Sequence, residues 1–200
     1  MILYVSGATA TLARLRQSRH LGVLVVPRAM GAIRLGLPTA ADNGAFSKFE
    51  PELYVRMLDK LAGRPVAWVT SPDAWGDARH TRELFSEWAP EIAARDLPIA
   101  YVIQDGQRVE DVPWDRIAAI FIGGTDPFRY GDGLREIVAQ AKRLGKLIHL
   151  GRVNTKTRIR WAQSLGCDSV DGSSFSRFPD AHIPWALGML ECEQLQLEGF

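Results

Sequence analysis

Apolar and polar positions alternate along this chain with two different periods. Short runs of aliphatic and β-branched residues at 2–5, 23–26, 66–70, 99–103, 119–122, 147–150 and 168–170 predict strands. Between them lie longer stretches with the spacing of amphipathic helices, at 9–19, 51–62, 77–95, 133–144, 155–165 and from 184 to about 196. Several of these open on a proline or a capping residue and close on a glycine, as at Leu61-Ala62-Gly63 and Leu165-Gly166. Strands alternating with helices are the mark of repeated βα units and a parallel sheet.

Seven visible strands leave two architectures open, a (β/α)8 barrel and an open doubly wound sheet. The strand ends favour the barrel. Polar and glycine residues follow nearly every run, at Ser71-Pro72-Asp73, Gln104-Asp105-Gly106, Gly123-Gly124-Thr125-Asp126, Gly151-Arg152 and Asp171-Gly172-Ser173. A barrel gathers all such loops on one rim, whereas an open sheet concentrates them at one crevice. The expected fold is a compact α/β TIM-type barrel over residues 1–200, incomplete or with one strand hidden. It would be small, because such barrels usually take ~250 residues.

Composition adds boundaries. Two hundred residues with 46% hydrophobic content can bury a core as one domain, and no repeats or low-complexity tracts interrupt the pattern. The two cysteines, Cys167 and Cys192, stand singly, so neither a zinc knuckle nor a disulfide framework is indicated and a reducing cytoplasm is expected. No segment reads as a secretion signal or a membrane span, so neither export nor a membrane partner is expected. The net charge of +1 gives no global attraction to nucleic acid; a polyanion would need a local patch. Arg152, Lys156, Arg158, Arg160 and Arg177 supply one, or are solvated helix charges.

The candidate chemistry sits at the strand ends. In Asp42-Asn43-Gly44-Ala45-Phe46 an acid occupies a turn of small residues beside an aromatic, open to close approach by a ligand. Asp171 ends the run Asp168-Ser169-Val170, and strand periodicity sets Asp168 and Asp171 on opposite faces. Asp73 precedes Trp75, and Gln104 closes the next strand. Carboxylate and amide groups together can read the edge of a purine-like base, on whose face an aromatic stacks. Plainer uses stand beside these. Asp42 suits an Asx-type turn, Asp171 a strand-end turn, Asp73 a helix cap and Gln104 a surface loop, while Gly123-Gly124 either exposes amides or makes a tight turn.

In order and spacing these motifs resemble the tRNA-guanine transglycosylase family and its DNA-acting relatives. The family's Asp-Ser-Gly-Gly-Phe turn is similar to Asp42-Asn43-Gly44-Ala45-Phe46, its strand-end acid to Asp73, its Gln to Gln104 and its Gly-Gly to Gly123-Gly124. The stretch His149-Leu150-Gly151-Arg152-Val153 resembles its His-containing strand and glycine loop, and Asp168-Ser169-Val170-Asp171 its Asp-x-x-Asp. The likeness runs from about residue 23 to residue 177 and lacks the family's zinc-binding module, so no metal or other cofactor is expected.

The resemblance implies an enzyme that cleaves the N-glycosidic bond of a base in nucleic acid. Asp171 would attack the anomeric carbon and Asp42 would manage the proton. Asn43, Phe46, Asp73, Gln104, Gly123, Gly124, His149 and Arg152 would hold the base, and Lys156, Arg158 and Arg177 the backbone. Water as second substrate would make it a glycosylase; a free base would make it a transglycosylase. The missing zinc module and the changed loop after Gly124 tilt the expectation to DNA and a modified base. Two rivals remain. One is a non-catalytic barrel that holds a nucleotide or sugar phosphate through Gly123-Gly124 and Arg152. The other is a small-molecule barrel enzyme such as an isomerase or aldolase, for which Lys48, Lys60, Lys142, Lys146 and Lys156 offer no lysine centred in a strand to form a Schiff base.

Overall fold

The computed structural model describes residues 1–45 and 49–197, with side chains through residue 191. Eight parallel strands close into a barrel in chain order: β1 (Ile2–Val5), β2 (Leu21–Val25), β3 (Thr39–Ala41), β4 (Val69–Thr70), β5 (Ile99–Ile103), β6 (Ala119–Ile122), β7 (Leu147–Leu150) and β8 (Ser169–Asp171), with β8 pairing back onto β1. The helices are α1 (Thr9–Arg14), α2 (Pro51–Leu61), α3 (Ala78–Ala93), α4 (Asp126–Arg129), α5 (Asp132–Arg143), α6 (Lys156–Leu165), α7 (Ser173–Arg177) and α8 (Pro179–Leu197). Two crossovers have no α-helix. Single turns of 3-10 helix, Gly31–Leu35 after β2 and Val109–Asp111 with Trp114–Arg116 after β5, stand in for them, which is how a complete barrel fits so short a chain.

The barrel is therefore whole, and β3 is the strand that periodicity hides. Its three residues, Thr39, Ala40 and Ala41, form no β-branched run, yet both neighbours satisfy their backbone groups. Helix ends follow local chemistry more closely. Asp77 caps α3 by accepting from His80 N at 3.0 Å, Thr155 caps α6 by accepting from Arg158 N at 3.3 Å, and Gly166 closes α6 in the left-handed conformation. The last helix begins at Pro179 instead of residue 184, with Pro184 inside it.

Alternation within the strands builds two cores. Leu3, Val5, Val23, Val25, Tyr101, Ile103, Ile120, Ile122, Ile148 and Leu150 face outward against the helices. Tyr4, Leu24, Ala40, Trp68, Ala100 and Ala119 face inward with Phe121. Small residues on some strands make room for rings on others. Tyr4 and Gly22 are register partners, and a Cβ at Gly22 would lie 2.6 Å from the Tyr4 ring. The barrel interior is thus plugged by Tyr4, Trp68, Phe121 and His149, with ring centroids 4.6 to 6.1 Å apart. Above this plug, at the C-terminal ends of the strands, the barrel opens. Among the described residues no helix is long and apolar enough to cross a membrane.

Candidate functional site

A cavity of about 780 Å³ occupies the C-terminal mouth. Tyr4, Leu24, Val102 and Phe121 form its apolar walls, and three carboxylates, Asp42, Asp73 and Asp171, project into it. Closure of the barrel brings together acids that lie far apart in sequence. Asp42 follows β3, Asp73 follows β4 and Asp171 ends β8.

Asp42 sits in a turn of its own making. Its Oδ1 accepts from Gly44 N at 3.3 Å, and the Thr70 hydroxyl lies 3.4 Å from the same oxygen. These bonds do not offset the loss of water. Burial, then the negative charges of Asp171 and Asp73, push the Asp42 carboxyl up to about 7. The neighbouring Asn43 is fully engaged in building the rim. Its amide nitrogen donates to Ser71 O at 2.7 Å and to Asp73 Oδ1 at 2.8 Å, while its Oδ1 accepts from Ala45 N at 2.7 Å.

Asp73 is gripped on both oxygens, since Gln104 Nε2 donates to Oδ2 at 2.6 Å. Burial still raises its pKa, against the lowering effect of the Asn43 and Gln104 hydrogen bonds and of the Arg152 charge. The helix-cap reading of Asp73 does not apply, because Asp77 caps α3. Gln104 is no surface residue either. It is buried, and its Oε1 accepts from Gly76 N at 3.0 Å and Gly124 N at 2.8 Å, which fixes the amide with Nε2 toward Asp73. Gln104 therefore positions Asp73 and joins the loops after β4, β5 and β6.

Asp171 has a different support. His149, fully buried in the interior plug, places Nε2 3.1 Å from Asp171 Oδ1 and Nδ1 2.9 Å from Ser169 Oγ. With the proton on Nε2, the ring donates to the carboxylate and the serine hydroxyl donates to Nδ1. His149 itself does not line the cavity; it acts through Asp171. Asp168, on the opposite strand face, accepts from Ile148 N at 2.8 Å and takes no part. Gly151 keeps this corner open, because a Cβ there would lie 2.7 Å from Phe121 and 3.2 Å from Asp171 Oδ1.

The other sequence candidates divide. Gly123, Arg152 and Arg177 line the cavity, and Gly124 does not. Lys156 stands over the Trp185 ring outside the mouth, and Arg158 is paired with Asp126 at 2.6 Å. Phe46 lies outside the described residues. Periodicity missed Tyr4, Phe121 and Val102, which read as ordinary strand residues, and Arg129, a buried cation. Arg129 donates to Gly123 O at 3.1 Å and to Gly151 O, tying the ends of β6 and β7 together. Burial, with Arg152 and Arg158 nearby, pushes its guanidinium down to about 10. Among the described residues, no three His, Cys, Asp or Glu side chains are grouped to hold a metal ion.

No family model and no curated protein matches the sequence. In fold the chain is similar to, among others, an HpcH/HpaI aldolase from Desulfitobacterium hafniense DCB-2. That match has 12% identity, covers 91% of this chain and 90% of that one, and has a TM-score of 0.51. It is also similar to a point mutant of mandelate oxidase solved with benzaldehyde, at 15% identity and a TM-score of 0.55. The latter match covers 84% of this chain and 63% of the oxidase, so the chain spans less than two thirds of that protein's length. At these identities the likeness is one of fold, a barrel that carries enzymes of several kinds.

These findings correct the sequence reading. The resemblance to the tRNA-guanine transglycosylase family is not sustained: the barrels of similar shape carry other names, and polar turns at every strand end belong to any (β/α)8 rim. Cleavage of an N-glycosidic bond in nucleic acid, with Asp171 as nucleophile and Asp42 as proton manager, rested on that resemblance and is withdrawn with it. The amide of Gln104 is already engaged within the protein, which weakens the base-edge reading independently. The non-catalytic nucleotide or sugar-phosphate barrel also lacks support. Gly123 N donates to Ile103 O at 3.0 Å and Gly124 N to Gln104 Oε1, so the Gly-Gly turn has no free amide for a phosphate.

Proposed function

We propose that this barrel is an enzyme of the small-molecule kind, one that moves a proton on a compact hydroxylated substrate held in the mouth of the barrel. The carrying observation is Asp42, a cavity-lining carboxyl raised to about 7 beside a second carboxylate that a buried histidine orients. A group near half-protonation at neutral pH both accepts and returns a proton with little penalty. In the forward step an O–H or C–H bond of the substrate breaks and an O–H bond forms on Asp42, with the electron pair left on the substrate. Asp171 stays in place through His149 and accepts a substrate hydroxyl, while Tyr4, Leu24, Val102 and Phe121 exclude water.

The fold neighbours support the small-molecule reading by analogy, one being named an aldolase and another solved with benzaldehyde. Among the described residues no lysine lines the cavity, and Lys146 Nζ donates to Ile117 O at 2.6 Å; acid–base work therefore fits the site better than a Schiff base. The test is NMR of the protein labelled at the aspartate side-chain carboxyl carbon. One resonance, absent in Asp42→Asn, should titrate with a midpoint of about 7 and move downward in Asp171→Asn. A midpoint near that of an ordinary aspartate would remove the proposal's basis.

A further inference from the structure

Charge is unevenly distributed around the mouth. Asp42 and Asp73 follow β3 and β4, while Arg152, in the loop after β7, and Arg177, at the end of α7, line the same cavity together with Asp171 at the end of β8. Arg152 and Arg158 both lie close enough to Arg129 to oppose its charge, while Asp126 pairs with Arg158 at 2.6 Å and with Arg129 at 3.9 Å. The Arg177 side chain forms no ion pair or hydrogen bond among the described residues. Arg152 and Arg177, the two arginines that line the cavity, have no ion-pair partner among the described residues, although Asp73 and Asp171 line the same cavity.

The backbone at Arg152 is unfavourable for an arginine. Its φ of +58° lies in the left-handed region, and among the described non-glycine residues with positive φ it alone lines the cavity. The kink is held from both sides: Arg158 Nη1 donates to Arg152 O at 3.0 Å, and Val153 N donates to Asp171 O at 2.6 Å. The Arg152 side chain donates to Gly124 O and has no ion pair among the described residues. Strain that the surroundings enforce at a cavity wall is a common property of groups that grip a ligand.

We infer that Arg152 and Arg177 form a carboxylate subsite, so that the substrate is a small hydroxy acid whose carboxylate meets the two arginines and whose other end reaches Asp42. This rests on the acid–base reading above, whose proton acceptor would act at the far end of the same molecule. A carboxylate matches the planar fork of guanidinium donors. It fits better than a phosphate, which commonly takes backbone amides that the Gly123-Gly124 turn here has already used.

The test follows the arginine Nε–Hε signals by NMR during titration with acetate, with acetamide and inorganic phosphate in parallel. Arg152 and Arg177 should shift saturably with acetate, sharing one dissociation constant, and should not respond to acetamide. Arg177→Gln, an exposed position, should weaken acetate by about tenfold, the loss of one charge-assisted contact. Arg160→Gln, exposed on α6, should change nothing. Non-saturating shifts, equal shifts at Arg160, a matching response to acetamide, or tighter phosphate binding at the same signals would each overturn the carboxylate subsite. Acetate binding should persist in Asp42→Asn. An absent acetate site with Asp42 still titrating at about 7 would remove the subsite alone, and the reverse would remove the acid–base reading alone.

Discussion

An aspartate with Asp42's surroundings binds its proton more tightly in the folded protein than in the unfolded chain, and that difference is also a statement about stability. Its ordinary value of 3.8 is raised to about 7 on folding, first by burial and then by Asp171 and Asp73. A raised carboxyl stabilises the fold fully below the unfolded value and loses that contribution as pH rises through the folded one. The gap corresponds to on the order of 4 kcal/mol, lost between about pH 4 and about pH 7. Asp42→Asn cannot lose a proton. In urea titrations the variant should gain on the native protein by a few kcal/mol as pH goes from about 4 to about 8. Asp73, raised in the same direction, contributes a slope of the same sign in both proteins. Parallel pH profiles would show that Asp42 is not buried as a charge.

At the scale of elements, the Gln104 side chain reaches the loops after both β4 and β6, beside Asp105, which accepts from Thr125 N at 2.8 Å. Gln104→Ala would leave Gly76 N, Gly124 N and Asp73 Oδ2 without their partner. The expected loss is about 2 to 4 kcal/mol in unfolding free energy, and Asp73 should titrate higher still for want of a donor. A near-neutral variant would mean that water replaces the amide. The same loops mark how much could be read in the sequence. Seven of the eight strands, and the acids at their ends, follow from period and turn chemistry, because short aliphatic runs and glycine-rich ends are local signals. The strand of Thr39, Ala40 and Ala41 carries no such signal, since its pairing is supplied by β2 and β4. Asp42 and Asp171 could be placed at the rim, but Gln104 as a brace and His149 as the support of Asp171 depend on contacts 20 or more residues away in the chain. Order along the chain suggested a family. It reflected where a barrel puts its polar turns.

For the whole molecule, the barrel's two ends are coupled through the plug of rings that separates them. Closure fixes the interior cross-section, so a side chain added low in the barrel cannot be absorbed by spreading the strands. Gly22→Ala makes this measurable. The new methyl would lie 2.6 Å from the Tyr4 ring and 2.9 Å from Pro38 O, and Tyr4 in turn meets Trp68 and His149 at ring distances of 5.7 and 6.1 Å. The Tyr4 ring has to give way, because the backbone of β1 and β2 is held in register. Overpacking of this kind costs about 1 to 3 kcal/mol, which thermal unfolding would detect. Because His149 orients Asp171 and Asp171 raises Asp42 more than any other charge does, the Asp42 midpoint should move as well, although residue 22 is not part of the cavity wall. A destabilised variant with an unmoved midpoint would show that the plug supports the barrel without setting the charge balance at its mouth.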